Sequence, residues 1–150
     1  MEVTLAIDYG TARVGTAVSA GWMARPLEVL PHGTMETLIE RLKVLAKQEM
    51  VTRFLVGLPI NADGSEGEQA DAVRAFAARL AAAVPQPVFL WNEYGSSQAA
   101  QTHMIASGTG RKARRERLDA IAAAVFLQEF IEQAGVGAER VDPRDGSSDA

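Results

Sequence analysis

The chain has 150 residues, of which 47% are hydrophobic and 23% charged, a size and composition that predict one globular domain with a single core rather than a two-domain machine. It contains no cysteine, which excludes disulfides, thiolate metal sites and thiol nucleophiles, so that any metal must be held by oxygen or histidine ligands. The formal net charge of −4 argues mildly against nucleic acid as a partner, although five of the 15 basic residues fall within residues 111–117.

The beginning of the chain predicts three strands and a cytoplasmic protein. Residues 3–8 and 14–19 are rich in small and β-branched side chains, and Gly10 and Gly15 flank the turn between them, which predicts an antiparallel hairpin. Residues 27–30 fit a third strand. The first residues lack the pattern of a signal peptide, and no apolar run approaches the roughly 20 residues of a membrane span.

Helices and buried strands alternate from Thr34 onward. Apolar residues recur at helical spacing after Thr34, a suitable N-cap, and we expect helices over the ranges 34–49, 73–84, 97–107 and 118–133. The apolar runs 51–57 and 87–91 predict two buried strands. This order predicts an α/β fold with a mixed five-stranded sheet flanked by helices, formed by residues 1–135, and a polar C-terminal tail at 136–150.

Three carboxylates stand where an ordinary surface acid is not expected. Asp8 follows the apolar strand run Leu5-Ala6-Ile7, where an unpaired buried charge would be costly, so it either caps the hairpin turn or binds a metal ion. Glu93 ends a predicted central strand, and a solvated glutamate at a strand end is the simpler interpretation. Asp119 is expected to open the last helix, as an N-cap or as a functional acid on the face that packs on the sheet.

Acids on separate elements can nevertheless converge on one site. In such sheets ligands gather at strand ends, which directs attention to Asp8, to the segment after Gly57 and to Glu93. Two divalent ions about 4 Å apart, held by carboxylates, can activate water and stabilise the leaving oxygen in phosphodiester cleavage. That chemistry uses hard oxygen ligands and needs no cysteine.

The motifs around these residues resemble the YqgF or RuvX family, which is associated with processing of pre-16S rRNA and is related to Holliday junction resolvases. The resemblance covers nearly the whole chain and implies a ribonuclease H-like fold. It implies that Asp8, Glu93 and Asp119 are the catalytic, metal-binding acids, with Mg²⁺ or Mn²⁺ as cofactor. The motifs that carry it are Asp8-Tyr9-Gly10-Thr11 with Arg13 and Gly15, Gly57-Leu58-Pro59 with Asn61 and Asp63-Gly64-Ser65-Glu66-Gly67, and Leu118-Asp119-Ala120-Ile121-Ala122-Ala123.

One segment departs from the family pattern. The usual Asp-Glu-Arg-Leu followed by two hydroxyl residues is here Asn92-Glu93-Tyr94-Gly95-Ser96-Ser97. The glutamate is kept, but an acid and a fork-shaped phosphate donor are lost, and Tyr94 cannot replace that arginine. Because neighbouring strand residues point to opposite faces, we expect Asn92 to point away from the metal site.

A cluster of basic residues just before Asp119 is the strongest candidate for binding a phosphate backbone. We expect a flexible basic loop there, and a solvated charge run is the alternative. Arg13 and Asn61 are weaker candidates for phosphate or sugar contacts. The cluster, which follows Gly108 and Gly110, consists of Arg111, Lys112, Arg114, Arg115 and Arg117.

The sequence therefore predicts a divalent-metal-dependent nuclease that hydrolyses phosphodiester bonds and acts on structured RNA or branched DNA. The resemblance favours processing of the 5′ end of pre-16S rRNA, with Holliday junction resolution in recombination and repair as the alternative; symmetrical cleavage of a junction would suit a homodimer. A catalytically weakened nucleic-acid-binding module is a further alternative. A phosphotransferase of the actin and sugar-kinase type would need a second domain to close over its nucleotide.

Overall fold

The computed structural model describes residues 1–93 and 111–143, and for 111–117 it describes the backbone. The strands are β1 (Thr4–Tyr9), β2 (Arg13–Ser19), β3 (Arg25–Pro31), β4 (Arg53–Pro59), β5 (Val88–Glu93) and β6 (Glu139–Arg140). The helices in this part of the chain are α1 (Met35–Gln48), α2 (Glu68–Ala83) and α3 (Arg111–Glu132). The helix predicted at 97–107 lies outside the described residues.

The strands form one mixed sheet in the order β3-β2-β1-β4-β5-β6. β4 runs parallel to β1 and to β5, whereas the other neighbouring strands are antiparallel. The carboxyl ends of β1, β4 and β5 therefore meet at one edge of the sheet. The β1–β2 hairpin turns at this same edge, closed by a hydrogen bond of 3.1 Å from the Gly10 amide to the Arg13 carbonyl.

The sheet is covered on both faces, as the hydrophobic patterning predicts. The larger apolar cluster lies under α1 and α2, and α1 begins after Thr34, whose hydroxyl accepts a hydrogen bond from the Thr37 amide as the predicted N-cap. The smaller cluster lies under α3 and consists of Ala6, Ala17, Leu55, Trp91, Ala123, Phe126, Leu127 and Phe130. No helix in the described ranges is long and apolar enough to cross a membrane.

The expected five strands are corrected to six. Glu139–Arg140 pair with Phe89 and Leu90 of β5, although the sequence places them in the polar tail. Two exposed polar residues carry no period-two hydrophobic signal, so a strand of this kind cannot be found from patterning. The division into a domain at 1–135 and a tail at 136–150 stays a prediction.

Candidate active site

The three predicted acids lie on the side of the sheet that faces α3. Side chains alternate along a strand, so Asp8 shares its side of the sheet with Ala6, and Glu93 shares its side with Trp91. Ala6 and Trp91 both belong to the apolar cluster under α3, and Asp119 is carried by α3 itself. Two strands and a helix therefore direct these carboxylates toward one edge of the sheet.

Gly57, on the strand between β1 and β5, leaves room for Glu93. A Cβ atom at position 57 would lie 2.6 Å from Glu93 Oε2 and 2.7 Å from Phe126 Cε2. The Glu93 carboxylate thus lies over the backbone of β4, on the way from β5 to β1. A larger residue at 57 would occupy the position of that carboxylate.

Gly15, on β2, leaves room for the backbone of α3 at Asp119, as Gly57 leaves room for Glu93. A Cβ atom at position 15 would lie 2.1 Å from both the carbonyl carbon and the carbonyl oxygen of Asp119, so the backbone of α3 rests directly on β2. Gly15 is also the residue that pairs with Asp8 across the hairpin. The absence of a side chain at 15 therefore brings Asp119 close to Asp8.

Burial and mutual repulsion disfavour the charged forms of these acids. Burial, followed by the charge of Asp119, raises the pKa of Asp8 to about 7. Burial, followed by the charges of Asp8, Glu129 and Asp119, raises the pKa of Glu93 to about 8. Two acids whose pKa values are raised to near neutral pH, beside a third acid, form a pattern that is common at functional centres.

Asp119 differs from the other two acids in having a cationic partner. Arg13 Nε donates to Asp119 Oδ2 at 3.0 Å. Burial raises the pKa of Asp119, and the hydrogen bond and charge of Arg13 act against that rise. No described side chain forms an ion pair with Asp8 or Glu93.

The donor set fits a hard divalent cation in its chemistry, although the described residues do not form a closed ligand cage. Carboxylate oxygens are the preferred ligands of Mg²⁺ and Mn²⁺, and a divalent ion would offset the burial cost and the repulsion that raise the pKa of Asp8 and Glu93. Among the described residues, no three acidic or histidine side chains lie close enough together to hold one metal ion. A side-chain movement is therefore needed before all three acids can share an ion.

The candidate nucleic-acid contacts fall in different places. Arg13 lies in the site, held by Asp119. Asn61 lies in the exposed loop after β4, where its side chain donates to Ser65 Oγ at 3.0 Å. Gln69 connects the region after this loop to the edge of the site. Its side-chain amide donates a hydrogen bond to the backbone carbonyl of Tyr9, next to Asp8.

The expected flexible basic loop is wrong. The backbone over Arg111–Arg117 forms the first two turns of α3, and Asp119 lies well inside that helix rather than opening it. The error has a physical cause: Arg, Lys, Glu and Ala are good helix formers, and they lengthen a helix without adding an apolar face. The side chains of the cluster (Arg111, Lys112, Arg114, Arg115 and Arg117) lie outside the described part of the structure.

Sequence patterning alone missed three residues that shape the site. Glu129 lies one turn after Phe126 on α3 and adds to the repulsion at Glu93; its helical spacing from Phe126 is the one signal that could have found it. Gly15 and Gly57 belong to the motifs, but their contacts with α3 and Glu93 depend on tertiary packing. Asn92 lies in β5 and is exposed, and its direction opposite to Glu93 stays a prediction.

Comparison with known proteins identifies the family to which this chain belongs. The family described as RuvX, Holliday junction resolvase, matches residues 2–133. The chain belongs to the RuvX family. Its curated relatives include proteins named "Putative pre-16S rRNA nuclease" from Pelotomaculum thermopropionicum, 37% identical over 87% of both chains, and from Prosthecochloris aestuarii, 40% identical over 87% of this chain and 93% of the relative.

Solved structures give the same fold at lower sequence similarity. Thermus thermophilus RuvC in complex with a Holliday junction substrate superposes with a TM-score of 0.59 over 93% of this chain and 99% of that chain, at 15% identity. A second Thermus thermophilus RuvC structure superposes with a TM-score of 0.56 at 16% identity. These similarities confirm the ribonuclease H-like fold implied by the sequence motifs.

Proposed function

We propose that this RuvX-family protein is a divalent-metal-dependent nuclease that hydrolyses phosphodiester bonds and processes the 5′ end of pre-16S rRNA. One observation carries the proposal: Asp8, Glu93 and Asp119 converge from two strands and a helix into a site whose negative charge is balanced in the described structure by Arg13 alone. The names of the curated relatives support the same activity and substrate.

Asp8 and Glu93 are the primary candidates for holding the metal, with Asp119 as the third ligand. Mg²⁺ or Mn²⁺ bound there would polarise the phosphate and lower the pKa of a water molecule. Asp8 and Glu93 are fixed by the sheet, since each is paired within it, Asp8 with Gly15 of β2 and Glu93 with Pro59 of β4. Their rigidity would fix where the scissile phosphate is placed.

The nucleic acid would be held along the amino-terminal part of α3. The basic cluster at 111–117 leads directly into Asp119, so phosphate contacts there would align the backbone with the acids. Arg13 and Asn61 would add contacts from the β1–β2 hairpin and from the loop after β4. A cytoplasmic location and a homodimer stay predictions.

Branched DNA is the second candidate substrate, favoured by the description of the family as Holliday junction resolvases. The purified protein should therefore be tested on RNA carrying the 5′ leader of 16S rRNA and on a four-way DNA junction, each with Mg²⁺, Mn²⁺ or EDTA. Metal-dependent cleavage of the RNA with defined ends supports the proposal. Cleavage of the junction alone moves the function to the resolvase, and binding without cleavage leaves a nucleic-acid-binding module.

The acids are tested by removing one charge at a time. We expect Asp8→Asn, Glu93→Gln and Asp119→Asn to reduce cleavage to the level seen in EDTA, because an amide keeps the shape of the side chain but loses the anionic charge that a hard cation requires. Asp71→Asn, an equivalent change at an exposed position of α2, should cleave normally. A triad variant with the wild-type rate would remove that residue from the mechanism.

A further inference from the structure

Arg13 and Asp119 join the first hairpin to the last helix at the centre of the site. They are 106 residues apart in sequence, and their contact runs from Arg13 Nε to Asp119 Oδ2 at 3.0 Å. The Arg13 side chain is 40% exposed, whereas that of Asp119 is 25% exposed. The arginine therefore lies on the solvent side of the pair and has room to move, while the aspartate is held by the close packing of α3 on Gly15.

The pair occupies an oxygen that a shared metal ion would need. Asp8 and Glu93 have no basic partner among the described side chains, and the described acids do not form a group of three around one ion position. Asp119 is thus the acid whose charge is already balanced without a metal. Arg13 supplies to Asp119 the positive charge that a divalent cation would supply to the whole site.

A guanidinium group can also bind the other anion expected at this site. Its planar set of N–H donors suits a phosphate as well as a carboxylate, and contacts of this type are charge-assisted. Arg13 lies at the start of β2, on the α3 side of the sheet and next to the hairpin turn at the site edge. A rotation of its side chain toward solvent would expose its donors to a bound backbone.

We propose that Arg13 is an exchangeable counter-ion: it holds Asp119 in the metal-free protein and transfers to a phosphate of the nucleic acid when a divalent ion takes Asp119. The inference rests on the proposed nuclease function. It makes Arg13 a positioning residue for Asp119 and a binding residue for the substrate. Metal and nucleic acid then favour each other's binding, because each removes one partner of the same ion pair.

This exchange predicts opposite effects of one substitution on the two ligands. Arg13→Gln removes the competitor for Asp119, so the metal-free protein should bind Mn²⁺ about tenfold more tightly, the size expected from losing one charge-assisted hydrogen bond. Arg13→Lys, which keeps the charge but not the fork, should fall between the wild type and Arg13→Gln. A purely structural ion pair predicts the reverse, because Asp119 would lose its support and the metal would bind more weakly.

The metal arm is a calorimetric titration of Mn²⁺ into metal-free wild type, Arg13→Gln, Arg13→Lys and the control Arg25→Gln. Arg25 also forms a 3.0 Å ion pair, with Glu49, but at the exposed strand β3. We expect the control to match the wild type. Mn²⁺ affinity that is unchanged or weaker in Arg13→Gln overturns the exchange.

The nucleic-acid arm measures fluorescence anisotropy of a labelled four-way DNA junction and a labelled RNA hairpin, each with Ca²⁺ or with EDTA. The wild type should bind at least one probe more tightly with Ca²⁺, and this gain should fall in Arg13→Gln together with the overall affinity. An equal gain in both proteins overturns the exchange while leaving the nuclease function in place. A wild type that binds no Mn²⁺ and cleaves nothing overturns the proposed function, and the exchange with it.

Discussion

At the scale of single residues, Asp8 illustrates the tension between stability and the proposed function. It follows Leu5, Ala6 and Ile7, which are fully buried, and no described cation balances its charge. A carboxylate in such a place destabilises the metal-free fold whenever it is ionised. Sites of this kind persist in proteins when the charge is needed to bind a ligand, and a divalent cation is the ligand that fits here.

The cost of the Asp8 charge should be visible as a pH-dependent stability difference. The pKa of Asp8 is raised to about 7 in the folded protein, above the ordinary value of 3.8 for an unperturbed aspartate. The folded state therefore binds the proton more tightly than the unfolded state, and the stability contributed by the protonated group is lost as pH rises from about 4 through 7. Above that range the full cost of the buried charge is present.

We therefore expect Asp8→Asn to stabilise the metal-free protein, and to do so more at pH 8.5 than at pH 5, by on the order of 2 kcal/mol. Urea denaturation in EDTA at both pH values measures this difference. Asp71→Asn, on the exposed side of α2, is the control and should show no such difference. An equal gain at both pH values would mean that Asp8 does not titrate in this range. In the same assay without EDTA, added Mg²⁺ should stabilise the wild type more than it stabilises Asp8→Asn.

At the scale of elements, the packing of α3 on β2 sets the position of Asp119. Small buried residues line this contact from both sides, with Gly15 and Ala17 on β2 and Ala123 on α3. Small residues let a helix backbone approach a sheet closely. The distance between the helix and the sheet, and not a side-chain rotamer alone, therefore determines where the third acid lies.

Gly15→Ala tests this contact directly. The new methyl group would lie 2.1 Å from the backbone of Asp119, so α3 must move away from the sheet. We expect a loss of roughly 1 to 3 kcal/mol in the free energy of unfolding, typical of overpacking, and a larger relative loss of cleavage, because Asp119 moves with the helix. Gly21→Ala is the matched control, since nothing lies within 4 Å of its Cβ position. A Gly15→Ala protein with wild-type stability and cleavage would show that the helix can shift without consequence.

The sequence predicted most of these elements, because most of them carry a hydrophobic period. The hairpin, α1 and α2 were found from alternation and helical spacing, and the Thr34 cap from its local chemistry. β6 and the first turns of α3 were missed because both are polar, so neither carries a hydrophobic periodicity that predicts an element. Close contacts such as Gly15 with Asp119 depend on how the elements dock, which no local pattern contains.

At the scale of the whole molecule, the topology converts three distant positions in the chain into one site. Asp8 and Glu93 lie on β1 and β5, which are separated in the sheet by the single strand β4. The sequence could identify the acids as unusual and place Asp8 and Glu93 near the ends of strands, but it placed Asp119 at the start of a helix that in fact begins at Arg111. It could not give the strand order or the register, and so could not predict that the Glu93 carboxylate lies over Gly57 or that Asp119 meets Arg13.

The positive charge of the molecule is concentrated in one segment of the chain. The formal net charge is −4, yet five of the 15 basic residues fall within 111–117, on the first two turns of the helix that carries Asp119. A negative protein that binds a polyanion needs a concentrated positive region, and this segment has the highest density of positive charge in the sequence. Along the chain, this segment directly precedes Asp119 in the same helix.

We expect the double variant Arg114→Gln and Arg115→Gln to bind RNA and DNA more weakly and with a lower salt dependence. Each phosphate contact contributes roughly 0.7 to 0.9 to the slope of log affinity against log salt, so the loss of two contacts should lower the slope by roughly 1.4 to 1.8. The control is Arg41→Gln with Lys43→Gln, which removes the same charge from exposed positions of α1, a helix packed on the opposite face of the sheet from α3. Binding measured between low and high salt separates the two variants, because a general effect of net charge would change both slopes equally.

The cleavage rate at saturating substrate should fall less than the affinity, since neither arginine is one of the acids proposed to hold the metal. If the double variant keeps the affinity and the slope of the wild type, the basic turns of α3 are a solvated surface and the nucleic acid reaches Asp119 from another side.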